Sequence, residues 1–296
     1  MDAKKVKQWS KQDKLRLLEH IVNGEDYWQD FSPVLEELID DEDPEIRAMA
    51  VRGLWNYPHP RFIDRLLELS LKDPSQEVRS QAILTLGRYI YEGEMSDYDF
   101  EWEGPIPELL EPELPIEDFL RVKNFLLTLF RDESQPIESR RYAVEALGFL
   151  SDPEVLEIIE TAYNHPDRRM KISALFAMGR NGHKRWHPII LKELENPDYE
   201  IRYEAVRAAG EAYIEEATPI LIDIACFEKD KDLRMEAIWA LGKTGGEEAE
   251  SVLIYLISDD PDKDIREVAE AALEELHIYD LDSYDLEEFP PEYDTW

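Results

Sequence analysis

Ile201-Arg202-Tyr203-Glu204-Ala205-Val206-Arg207-Ala208-Ala209-Gly210 is the stretch whose reading decides the fold. Around Arg202, small or apolar residues stand one place before and three, four and seven places after. That spacing covers one face of an α-helix. An alanine at the centre of the face, Ala205, allows a neighbouring helix to come close.

The same pattern recurs along the chain. It reads Ile46-Arg47-x-x-Ala50-Val51 with Leu54, Val78-Arg79-x-x-Ala82-Ile83 with Leu86, and Arg140-x-x-Ala143-Val144 with Leu147. Further copies are Met170-Lys171-x-x-Ala174-Leu175 with Met178, Leu233-Arg234-x-x-Ala237-Ile238 with Leu241, and Ile265-Arg266-x-x-Ala269 with Leu273. Successive basic residues lie 32, 61, 31, 31, 32 and 32 apart. A fixed period of this length marks a repeat array, and the single long interval marks an insertion.

A turn and an earlier helix precede each copy. The turns contain Asp43-Pro44, Asp73-Pro74, Gln135-Pro136, His165-Pro166, Asn196-Pro197 and Asp260-Pro261. Proline suits a helix start and Asp or Asn suits its cap. The earlier helices are predicted at Pro33–Ile39, Arg61–Leu71, Ile116–Phe130, Pro153–Tyr163, Trp186–Leu194, Ala217–Phe227 and Glu248–Ile257. Gly87, Gly148, Gly179, Gly210 and Gly242 follow the apolar faces, either for close packing or as helix ends. The expected fold is all-α: an α-solenoid of about seven helix pairs with an acidic loop insertion.

With these motifs the chain resembles HEAT-repeat proteins of the short bacterial, phycobilisome-lyase-like type, over roughly residues 31–276. The resemblance implies a ladder between repeats, made by an Asp ahead of the second helix and the Arg within it. Matching positions are Asp41 with Arg47, Asp73 with Arg79, Asn196 with Arg202 and Asp260 with Arg266. The third, fourth and sixth copies lack that Asp, so an incomplete ladder is expected. The scaffold hosts many tasks, so the likeness speaks to fold rather than function.

Three segments depart from the repeat. Residues 1–30 hold Lys4, Lys5, Lys7, Lys11, Lys14 and Arg16, then Leu15, Leu17, Leu18 and Ile21 on an amphipathic helix. They are read as a basic cap on the first repeat, or else as a handle for an acidic segment. Residues 92–118 hold eleven acids, four prolines and no Lys or Arg, with Phe100 and Trp102 among the charges. A loop is expected there, passive or binding. Residues 277–296 hold seven acids and no Lys or Arg, with Tyr279, Tyr284, Phe289, Tyr293 and Trp296. This tail is read as a linear motif that docks on a basic, aromatic surface, the protein's own groove included, or as a strap over the last repeat.

Sixty-eight acids against 33 bases give a formal net charge of −35. Phosphate backbones repel such a surface, so nucleic acid is an unlikely guest, including for the HEAT-like enzymes that excise damaged bases. Long-range steering instead favours a protein partner with a basic segment. Acidity that serves solubility alone is the plainer alternative. The lone cysteine, Cys226, lies in an apolar helical run and excludes an intrachain disulfide or a Cys-rich zinc site. No apolar run reaches a membrane span and Met1 to Trp9 carry no apolar signal core, so a cytoplasmic protein is expected.

Second helices of such arrays line the inner face, and their non-core positions form ridges. Those positions hold Arg52, Arg88, Arg141, Phe149, Phe176, Arg180, Tyr203, Arg207, Trp239 and Lys243. This basic and aromatic stripe is the candidate partner site. Pairing of its arginines with Glu145, Glu204 and Glu236 is the competing expectation. His183 and His187 share i, i+4 spacing, but Asn181-Gly182 and Pro188 place them at a turn, so neither a metal site nor a cofactor is expected. The absence of His-Glu pairs argues against a di-iron hydroxylase. No phosphate loop or nucleophile elbow occurs. A non-catalytic interaction scaffold is therefore the leading expectation, with a bilin lyase or lyase subunit as the alternative that the family resemblance implies.

Overall fold

A computed structural model describes residues 3–24, 29–96 and 114–287, with the side chains of 95–96 and 279–287 outside the description. Among the described residues all regular structure is helical. The helices are α1 (Ala3–Val6), α2 (Lys11–Val22), α3 (Ser32–Leu38), α4 (Pro44–Gly53), α5 (Ile63–Lys72), α6 (Gln76–Ser96), α7 (Ile116–Arg131) and α8 (Ile137–Leu147). They continue as α9 (Pro153–Tyr163), α10 (Arg168–Asn181), α11 (His187–Glu193), α12 (Tyr199–Glu211), α13 (Thr218–Phe227), α14 (Lys231–Thr244), α15 (Glu247–Asp259) and α16 (Lys263–Glu287). From α3 onward they alternate as the first (A) and second (B) helix of a pair, and the seven motif copies lie on the seven B helices. The fold is an α-solenoid.

The chain divides into two compact units, residues 1–177 and 178–296, with the division inside α10. In both, the core is what the motif requires. Ala50, Ala82, Ala143, Ala174, Ala205, Ala237 and Ala269 are all fully buried. In unit 1 their neighbours Val51, Ile83, Val144 and Leu175 are also fully buried, and in unit 2 Val206 and Ile238 are.

Close packing, not helix termination, accounts for most of the recurrent glycines. A Cβ on Gly87 would lie 3.1 Å from the Cα of Ala146 on the next B helix, and one on Gly148 would lie 3.0 Å from that of Ala177. In unit 2, Gly179 stands against Ala208 (2.6 Å), Gly210 against Ala240 (2.9 Å) and Gly242 against the carbonyl of Ala272 (2.6 Å). Real Cβ atoms essentially never come within 3.0 Å of another heavy atom, as they would at Gly179, Gly210 and Gly242, and seldom come as near as they would at Gly87 and Gly148, so each glycine fixes the spacing of two helices. Replacing one crowds the backbone instead of opening a cavity.

The turn before each B helix works differently from the sequence expectation. Only Asp43 both precedes its proline and caps the helix. Except at Gln135-Pro136, where Asp132 accepts the Ser134 N–H instead, the residue before proline accepts the N–H two places on. Asp73 does so from Ser75 (2.8 Å), His165 from Asp167 (3.0 Å), Asn196 from Asp198 (2.8 Å) and Asp260 from Asp262 (2.9 Å). Glu228 takes the same role for Asp230, which shows that the sixth copy is not without its acid. One acceptor atom suffices, which is why Asp, Asn, Glu and His all serve.

The ladder runs from one repeat to the next. Arg47 grips the Asp73 carboxylate bidentately, through Nε (2.9 Å) and Nη2 (2.8 Å), and donates Nη1 to the carbonyl of Asp41 (2.9 Å). In unit 2, Arg234 donates Nη2 to Asp260 (2.6 Å) and Arg202 stands 3.6 Å from Glu228. Within a repeat the arginine reaches a backbone carbonyl: Arg79 to Asp73, Arg202 to Asn196 and Arg266 to Asp260.

The basic N-terminus joins this ladder. Lys14 of α2 donates to Asp41 (2.6 Å), with Leu18 and Ile21 buried four and seven places on, as in a B helix. α1 packs on α3 and α2 on α4. The cap thus has the form of an abbreviated helix pair.

Both acidic segments begin in helix. α6 continues to Ser96 and α7 starts at Ile116, so the ends of the 92–118 insertion are helical. The Tyr91 ring meets that of Phe149 edge-on (5.2 Å), and Gly93 lies under the Phe119 ring. α16 likewise runs on to Glu287, past the expected boundary near 277, because no proline or glycine interrupts it before Pro290. Phe100, Trp102, Phe289, Tyr293 and Trp296, and the side chain of Tyr284, lie outside the described residues.

Two outcomes follow from this geometry. Gly179→Ala should lower unfolding stability by about 1–3 kcal/mol in urea titration, even though alanine is the better helix former. Asp73→Ala should cost about 2–4 kcal/mol, because it leaves the guanidinium of Arg47 half satisfied in a buried site. Burial pushes the Asp73 carboxyl up, yet the hydrogen bonds from Arg47 and the Ser75 N–H outweigh it and hold the group below its ordinary value. A depressed carboxyl stabilises the fold above its unfolded pKa of about 3.9 and loses that contribution as pH falls through the folded value. The stability gap between the native chain and Asp73→Asn should therefore be full at neutral pH and close on acidification below about pH 4.

Candidate interaction surface

With the core face and the glycine seam occupied, each B helix keeps one ridge outward, at positions one, five and nine after the motif base. In unit 1 this ridge carries Arg52, which is exposed, then Arg88, Arg141, Phe149 and Phe176, all half-buried. Arg88 pairs with Glu92 (2.5 Å) and lies over the Tyr91 ring (5.0 Å). Arg141 is held by Glu138 (2.5 Å), Glu145 (3.2 Å) and the Ser173 hydroxyl (3.2 Å), while Ser173 itself donates to Glu145. Burial works against the charge of Arg141, but Glu138, Tyr142 and Glu145 outweigh it. A separate cavity of about 310 Å³ lies among His20, Phe31, Trp55, Asn56 and Arg88.

In unit 2 the ridge carries Arg180, Tyr203, Arg207, Trp239 and Lys243. The Tyr203 hydroxyl donates to Glu236 (2.6 Å), and burial with that carboxylate pushes the phenol up. Arg207 donates Nε and Nη2 to Glu204 (3.0 and 2.7 Å) and Nη1 to Glu211 (3.2 Å). Burial pushes the Glu204 carboxyl up against the pull of Arg207. Lys243 donates to Glu275 (2.8 Å) and lies 5.0 Å from the Trp239 ring and 5.6 Å from that of Tyr213.

The stripe is thus not open positive charge. Glutamates three or four residues along the same helix stand beside Arg88, Arg141 and Arg207, as helical geometry dictates. Tyr203 and Lys243 reach their acids on the following B helix. What the ridge offers is a set of aromatic faces in a lattice of paired charges. Trp239 is 36% exposed and Tyr213 47%.

One concavity on the unit 2 ridge was not read from the sequence. Between α14 and α16 an open groove of about 550 Å³ has Met235, Trp239, Val268, Ala271 and Ala272 as its floor, and Asp264, Glu267 and Glu275 as its rim. Its signal was the small residue at the fifth position of the last copy, Ala271, where the preceding copies carry Arg207 and Trp239.

Of the remaining candidates, His183 takes a place in a turn: it accepts the Arg185 N–H at the 3-10 turn before α11, as His59 accepts that of Arg61. Among the described residues no group of three or more His, Cys, Asp or Glu is arranged to hold a metal ion. Cys226 is half-buried, and burial pushes its thiol up. No described helix is long and apolar enough to cross a membrane.

Comparison with known proteins bears on the scaffold. The family model for HEAT repeats matches residues 31–97 and 187–274, more than half of the chain. A PBS lyase HEAT-like repeat matches 139–165. No curated protein is similar in sequence. Among solved structures, yeast importin-β (Kap95p) is similar with a TM-score of 0.53 at 14% identity, over 91% of this chain and 39% of that one. Another importin-β structure scores 0.50 at 14% identity, over 92% of this chain and 43% of that one. This chain therefore spans about two fifths of the importin-β chains it resembles. The complex of CpcE and CpcF of phycocyanin lyase from Nostoc sp. PCC7120 scores 0.50 at 15% identity, over 84% of this chain and 95% of that one. At these identities the likeness is one of fold, and with the repeat models it leads to one conclusion: this chain belongs to the HEAT-repeat family.

Proposed function

We propose that the chain is a non-catalytic protein-interaction scaffold that receives a partner on the outward ridges of its B helices, with the acidic segments 92–118 and 277–296 as further contacts. The observation that carries this reading is the set of large side chains there that the core does not use. Arg52, Tyr213 and Trp239 are exposed on B helices or just beyond their ends, and arginine and aromatic residues are the usual anchors of protein interfaces. The net charge of −35 favours a partner with a basic segment through long-range attraction.

A second reading is a bilin lyase or lyase subunit. It is favoured by the lyase-type repeat at 139–165 and by a fold that covers nearly the whole of a phycocyanin lyase chain. Co-expression with a bilin and a phycobiliprotein subunit tests it: absence of both chromophore transfer and bilin retention removes it.

Photo-crosslinking in the native source tests the scaffold reading. A benzophenone side chain placed at Arg52 or Trp239, on the B ridges, should yield adducts with one specific protein. The same group at Leu71 or Ile254, exposed on the A helices α5 and α15, should not. Adducts from the A positions alone, or from none of the four, would overturn this reading.

A further inference from the structure

The groove between α14 and α16 breaks the pattern of unit 2. On α12 the fifth ridge position is Arg207, locked by Glu204 and Glu211. On α16 it is Ala271, an exposed methyl group. The Trp239 indole stays 36% exposed there, and an apolar floor lies open beside it.

The rim is acidic and its in-chain partners hold it loosely. Asp264 meets Lys231 and Glu267 meets Lys263, but these pairs are solvent-exposed, so they are weak and exchangeable. α16 carries its only bases, Lys263 and Arg266, in its first turn. From Glu267 to the end of the sequence there are eleven acids and no Lys or Arg. Lys243 already displays how a cation sits here, close to the Trp239 ring and hydrogen-bonded to Glu275.

Resting on the scaffold reading, we infer that the α14/α16 groove is the anchor site for a basic segment of the partner protein. A lysine or arginine stem lies along Met235, Val268 and Ala271. Its charge reaches Glu267 and Asp264, and the indole face of Trp239 contributes a cation–π contact. An acidic segment is excluded from the same place by repulsion.

The test uses the full chain and a labelled short synthetic peptide of alternating lysine and leucine, followed by fluorescence anisotropy, with a glutamate–leucine twin as control. The basic peptide should bind, more weakly as salt rises, and the acidic twin should not. Trp239→Ala should weaken binding by about tenfold or more. Ala271→Leu fills the groove from an exposed position without touching the core, and should do the same while circular dichroism stays unchanged. No binding of the basic peptide, equal binding of the twin, or an affinity that neither substitution alters would overturn the groove assignment. Those outcomes leave the scaffold reading standing, since the benzophenone adduct at Arg52, which does not line the groove, decides that one separately.

Discussion

From α6 onward, successive B helices meet at their backbones, with a glycine of one pressed on an alanine of the next. A side chain at either position would separate the helices by its own thickness, so the seam admits little variation. The rotation of each helix about its axis follows, because the glycine must face its neighbour while the motif alanine faces the core. Once those two faces are used, the ridge that remains is determined. The outward ridge proposed as the interaction surface is thus set by the least conspicuous residues in the repeat.

The ladder adds direction to this packing. An arginine on one B helix reaches the acid in the following turn, and that acid spends its other lone pairs on the turn's own N–H groups. Arg47 and Asp73 do this with almost no solvent contact, where an unmatched partner would be costly. The interaction therefore ties local turn geometry to the neighbouring repeat, and contacts stay between adjacent units as expected of a repeat array.

Much of this was legible in the residues. The seven alanines identified the B helices, and Pro153–Tyr163 was placed without error. Turns were harder, since Asp, Asn, Glu and His look unlike one another yet share one acceptor atom, and so Glu228 was overlooked. Lys14 was read as part of a basic cap because Leu18 and Ile21 lack the alanine that marks the other copies. Of the two expectations for the ridge arginines, pairing with neighbouring glutamates holds for Arg141 with Glu145 and for Arg207 with Glu204, whereas Glu236 takes the Tyr203 hydroxyl instead. Glu204 and Glu211 stand three and four places from Arg207, a spacing that the sequence itself displays and that helical geometry turns into contact. The α14/α16 groove was invisible for another reason: it arises from a side chain that is small, and a missing side chain leaves little trace in a motif.

The Gly93–Phe119 contact has a consequence for how the protein can be altered. The ring rests on the glycine near the point where the chain leaves α6 and enters α7, so the two ends of the insertion are held together by the body of the fold. For a closed loop of this kind, doubling the length costs only about 0.6 kcal/mol. The segment between them can therefore be lengthened or rewritten at little cost to the helices beneath it, and an engineer could splice a reporter domain there on the same terms.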